Sequence, residues 1–217
     1  MRGSPIRTNV LSARILPNAD PALLRQLQVP PGHTSLGLFT TDCDDVSYAA
    51  LDEATKRARV QVAYARSMYA GAANASTALA GEFIGILSAE TEADVRSGLE
   101  AAIRYAQTDA CFYSANDQDT VVYFAHCISR TGSYLSREAG VAEGTAMAYL
   151  IAPPLEAVVG LDAAVKAADV SIGRFYGPPS ETNFAGGLLT GSQSACQAAC
   201  EAFAAAVCGI AGSPAVY

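Results

Sequence analysis

Two stretches of this chain, 110 positions apart, read almost alike, and that repetition limits the fold more than any other feature. Residues 51–62 align with residues 161–172. The pairs Leu51/Leu161, Asp52/Asp162, Ala54/Ala164, Lys56/Lys166, Ala58/Ala168 and Val60/Val170 are identical. The likeness resumes at residues 79–84 against 184–189, after a shorter connection in the second copy. A period this long exceeds any solenoid unit and fits a tandem duplication of one small domain. The 217 residues therefore divide into a first domain over 1–110 and a second over 111–217. A chain that is a dimer of itself is a natural building block for a larger symmetric assembly.

Composition favours association. Charged residues make up 16% of the chain, against about 25% in an ordinary soluble domain. Apolar residues make up 51%, and there is no Trp. A surface this poor in charge invites cover by neighbours. The net charge of −7 argues against nucleic acid, which needs a basic stripe, and against anionic membranes. No stretch of 18 or more residues is uniformly apolar, and the apolar tail over 202–212 is short and contains Gly. The first seven residues lack an apolar signal core, so the expected compartment is the cytoplasm. There the six cysteines should remain thiols and the sequon at Asn74 should carry no consequence.

Strands are expected at 7–16 and 35–39, then a helix from Asp44 or Asp45 to about 58, strands at 60–65 and 81–87, and a helix from Thr91 to about 107. Thr91 with Asp94 three residues later is a capping pair. A short helix starting at Asp20-Pro21 ends before Pro30-Pro31. The second half repeats the order: strands at 120–129 and 147–151, a helix at 154–168, strands at 170–175 and 184–189, and a helix from Ser192 to about 208. Each half reads β, then β-α-β-β-α. Moving the first strand to the end gives β-α-β-β-α-β, the ferredoxin-like split βαβ order, with helices on one face of an antiparallel sheet. The fold class is thus α+β, and each half is a circular permutant.

At residues 162–170, Asp-Ala-Ala-Val-Lys-Ala-Ala-Asp-Val, the chain resembles the signature of bacterial microcompartment shell domains. The likeness extends almost end to end with the tandem, circularly permuted shell proteins of ethanolamine-utilisation compartments. It is carried by segments 35–38, 44–46, 52–56, 67–71, 129–136, 152–157, 178–183 and 190–193; residues 1–5 match poorly. The resemblance implies two shell domains per chain, a homotrimer with pseudo-sixfold symmetry, edge-to-edge tiling with other shell proteins, a gated central pore, small acidic channels, no enzymatic activity and no cofactor.

Candidate residues have local readings as well. Asp44, Asp45 and Glu156 lie in first helical turns, where carboxylates favour the macrodipole and cap backbone N–H groups. Glu82 begins a strand and Glu181 lies on a loop. By resemblance these five, with Phe112, match an acidic channel in which a small cationic metabolite such as ethanolamine is held, the aromatic face adding about 0.5–2 kcal/mol of cation–π attraction. Glu82 aligns with Gly187, so only the first half keeps that acid.

The loop over 66–79, with Tyr69, Gly71, Ala72, Ala73 and Asn74, is rich in small residues and expected to move, whereas its counterpart at 177–183 carries two prolines. By resemblance both loops meet at the central pore. Lys56 and Lys166 are ordinarily a solvated helix face, and in the shell family lie at the tile edge against a symmetry mate. Cys196 and Cys200 share a helix face, but no further ligand completes a metal site in sequence. Residues 186–192 lack the Gly-Lys ending of a phosphate loop, and the two histidines sit in no nucleophile motif. The competing reading is a trimeric binding or sensor protein for a cationic amine, which has no need of a self-pairing edge.

Overall fold

The computed structural model describes residues 1–68, 82–178 and 183–215. The fold is α+β, in two compact units. An N-terminal unit comprises Thr8–Ala110 with Gly132–Leu135, and a C-terminal unit comprises Cys111–Thr131 and Ser136–Tyr217 with Met1–Arg7. Two short segments thus group across the 110/111 boundary. For the first, the cause is strand β1 (Pro5–Ile6), which pairs antiparallel with β6 (Phe112–Ser114). Its Pro is tolerated because β1 is an edge strand.

In the N-terminal unit the order is β2 (Val10–Leu16), α1 (Pro21–Gln26), β3 (Ser35–Thr41), α2 (Asp44–Arg57), β4 (Gln61–Ser67), β5 (Phe83–Ala89) and α3 (Glu92–Thr108). The antiparallel sheet runs β2-β3-β5-β4. Helix α2 joins β3 to β4 across the intervening β5, which is the split crossover the repeat implied. The central strands bury Leu36, Phe39, Phe83 and Leu87. Helix α3 starts as expected: Thr91 Oγ1 accepts from Asp94 N–H at 3.1 Å and donates to the Asp94 carboxylate at 2.6 Å. Gly37 lets α3 close on the sheet, since a Cβ there would lie 2.7 Å from Val95.

Beyond α3 the chain continues with β6, β7 (Val122–Ile128), α4 (Ser133–Ala139), whose first three residues group with the N-terminal unit, β8 (Ala146–Ala152), α5 (Pro154–Ala167), β9 (Val170–Tyr176), β10 (Ala185–Gly191) and α6 (Gln193–Gly212). The sheet of the C-terminal unit runs β1-β6-β7-β8-β10-β9. The last four strands repeat the order of the first sheet, and β6 with β1 extends the edge. Helices α5 and α6 pack together against β8 and β10. Helix α6 is long and apolar enough by composition to cross a membrane. Its Cys196, Ala199, Cys200, Phe203, Val207 and Cys208 recur at helical spacing and form one side of the core.

Candidate functional site

Asp44, Asp45 and Glu82 lie at one end of the N-terminal unit. Asp44 and Asp45 are the first two residues of α2, and both are buried. The helix begins after Cys43, whose side chain makes no capping bond. Instead the hydroxyls of Thr41 and Ser47, 2.6 Å apart, lie beneath the turn, with Ser47 donating to the Cys43 carbonyl at 2.7 Å. The Asp44 carboxylate accepts from the Asp45 N–H at 2.9 Å and is hydrogen-bonded by the Ser67 side chain. Ser67 also meets the Tyr48 hydroxyl at 2.8 Å. Burial, and then repulsion from Asp45, hold the Asp44 carboxyl well above the ordinary carboxylate range despite the Ser67 bond.

Glu82 lies at the same end. Its carbonyl accepts from Met68 N–H at 2.7 Å, one step beyond the paired residues Ser67 and Phe83. The Phe83 ring meets Tyr48 edge-on, with centroids 4.9 Å apart. Asp44, Asp45 and Glu82 are thus drawn to one end of the β4–β5 hairpin, around Tyr48 and Ser67. Two buried carboxylates side by side gain from a cation, because it relieves the repulsion between them.

The other expected residues belong to the C-terminal unit or lie outside the described residues. Phe112, in β6 of the C-terminal unit, is fully buried, stacked on Phe124 at 5.4 Å and tilted against Phe184 at 6.2 Å. Glu156 is half-buried in the first turn of α5. Glu181, Tyr69, Gly71, Ala72, Ala73 and Asn74 lie outside the described residues. Tyr48 and Ser67 were not foreseen as site residues. Tyr48 falls four positions after Asp44, on the same helix face, which is the one signal that marks it.

The repeated lysines have unlike surroundings. Lys56 contacts Glu53 at 2.6 Å and Asp52 at 3.8 Å, and Asp52 is fully buried, accepting from Gly132 N–H at 2.7 Å and Leu135 N–H at 2.9 Å. Burial still raises the Asp52 carboxyl above its usual range, outweighing those bonds and Lys56. Lys166 pairs with Asp162 at 2.6 Å, and both are exposed. All six cysteines are free thiols, five of them buried. Burial pushes the Cys127, Cys196 and Cys200 thiols up. Among the described residues no three His, Cys, Asp or Glu side chains are grouped as a metal would require.

Comparison with known proteins bears on what such a pair of units is for. The BMC domain family model matches residues 35–117. The bacterial microcompartment shell protein EutL of Clostridium perfringens strain 13 is 60% identical over 214 residues, which is 99% of either chain. The chain belongs to the EutL family of bacterial microcompartment shell proteins. A crystal structure of the ethanolamine utilization protein EutL from Leptotrichia buccalis superposes with a TM-score of 0.96 at 61% identity, over the whole of both chains. The fold is shared more widely. PduB, described as a trimeric bacterial microcompartment shell protein, gives a TM-score of 0.75 at 18% identity over 94% of this chain and 89% of its own. EutL relatives are named as shell components and not as enzymes, and the chain is a shell protein of this kind.

Proposed function

We propose that the chain is a structural and transport tile in the shell of an ethanolamine-utilisation microcompartment, assembling as a homotrimer whose six repeats form a pseudohexamer and joining other shell proteins edge to edge. The observation that carries this reading is the duplication itself: two permuted shell folds in one chain, with full-length likeness to proteins named for that shell. The low charge content supports an assembled existence. The 66–79 loop, most of which lies outside the described residues, is assigned to the central pore in this reading, and Lys56 and Lys166 to the tile edges.

The acidic end of the N-terminal unit is the place for a small ammonium-bearing metabolite such as ethanolamine. Asp44 and Asp45 supply buried negative charge, Glu82 stands at the same hairpin end, and Tyr48 and Ser67 offer hydroxyls. Affinity should be modest, since a conduit must release what it admits. Titration calorimetry with ethanolammonium chloride tests the site. Binding should weaken about tenfold or more in Asp44→Asn and Glu82→Gln, as expected for loss of a charged partner, and acetate should not bind. Phe112→Ala in the same titration asks whether that ring contributes. Equal binding by wild type and both acid variants would reject the site.

A further inference from the structure

The two repeats carry the same connection, buried in one case and bare in the other. Between β2 and β3, Ala19 N–H donates to the Thr34 carbonyl at 2.9 Å and Val29 N–H to Leu24 at 3.2 Å. Between β7 and β8, Thr131 N–H donates to Thr145 at 3.0 Å and Val141 N–H to Ser136 at 2.9 Å. Left-handed residues fall at matching places, Gln28 and Gly32 against Gly140 and Gly144. With this offset of 112 positions, Asp20 and Leu23 stand where Gly132 and Leu135 do.

Gly132–Leu135 belongs to the N-terminal unit and lies on α2. Both N–H bonds to Asp52 come from it, Ser133 N–H donates to Thr55 Oγ1 at 3.1 Å, and Leu135 is 1% exposed. The corresponding face of α5 carries Asp162 and Val165 in place of Asp52 and Thr55, and it is bare. Asp162 is 58% exposed, and Leu155, Val158, Val159 and Val165 are all exposed. The counterpart of the covering segment is bare too: α1 buries no residue, and Leu23 is 42% exposed. The segment of the second repeat covers α2 of the first, whereas the matching segment of the first repeat and the matching face of α5 are both bare.

We propose that residues 20–23 of a second copy of this chain dock on the α5 face, with Leu23 against the exposed valines and its N–H directed at Asp162. This rests on the trimer reading above and assigns its contact. The two faces differ, so the interface is heterologous, running head to tail and able to close into a ring. It cannot copy the α2 contact in full. A Cβ at position 132 would come within 2.6 Å of the Asp52 carbonyl, so Asp20, which has one, stands further off.

Sedimentation velocity and mild oxidation test this. The double variant Asp20→Cys/Val165→Cys should give disulfide-linked species larger than dimers on non-reducing gels, whereas neither single variant should. Leu23→Asp should raise the concentration needed for assembly by about tenfold or more, with an unchanged circular dichroism spectrum and melting temperature of the dilute monomer. If the wild type assembles but the double variant does not cross-link and Leu23→Asp assembles normally, the docking assignment is wrong and the trimer reading stands. A wild type that stays monomeric at all concentrations overturns both.

Discussion

The N-terminal residues of α2 show how a carboxylate can be kept at a cost to the fold. The folded state raises the Asp44 carboxyl above its unfolded value, through burial and then Asp45, so folded protein holds that proton more tightly. The sign follows from linkage: the stabilising contribution of the protonated group is present below the ordinary carboxylate value of about 4 and is lost as pH rises through the folded value. At neutral pH an ionised Asp44 opposes folding. Asp44→Asn should therefore raise the melting temperature at pH 7 by about 2–4 °C, near 1 kcal/mol for a chain of this size. The gain should vanish in acid, below the carboxylate range. A lower melting temperature at pH 7 would show that Asp44 is held ionised to the fold's advantage. Asp52 answers to a different account, because its removal strands the buried N–H groups of Gly132 and Leu135. Urea unfolding should place Asp52→Ala about 2–3 kcal/mol below wild type. Asp162→Ala in the dilute monomer should stay within about 0.5 kcal/mol. Equal losses would mean that the two aspartates are alike in the free chain.

Among the elements, α2 and α5 descend from one sequence pattern and differ in what surrounds them. Lys56 touches Asp52 and Glu53 with a side chain 24% exposed, whereas Lys166 is 72% exposed beside Asp162. Thermal melts should accordingly show a larger loss for Lys56→Ala than for Lys166→Ala, about 1 kcal/mol against a few tenths. The reverse order would contradict the contacts. Most helices and strands were legible because each has a regular period or a cap: Thr91 with Asp94 for α3, Ser192 for α6, and the alternation of β2. The segments β1, β6 and α4 were not. A two-residue strand and a three-residue strand display no period, and α4 draws its setting from Asp52, some 80 positions away in sequence. Asp44 and Asp45 were legible as carboxylates in a first helical turn, and Glu82 as an acid at the start of a strand. Tyr48 and Ser67 were not, because only the pairing of β4 with β5 brings Ser67 to the end where Asp44 begins its helix.

For the whole molecule, two shell folds in one chain carry more exposed apolar surface than a solitary protein needs. Leu155, Val158, Val159, Ile172 and Phe175 are all at least 44% exposed, and large bare apolar patches mark association. The tile edge adds a second level of assembly. Weak lysine contacts repeated over a lattice act together, so Lys56→Ala with Lys166→Ala should leave soluble trimers and suppress extended arrays. Sheets formed as readily by that variant would remove the lysines from the edge. A shell tile must build a surface. Negative-stain electron microscopy of the purified wild type, over a range of concentrations, measures this directly. The account predicts flat sheets or rolled tubes with a regular hexagonal repeat, whereas isolated particles at every concentration would contradict it.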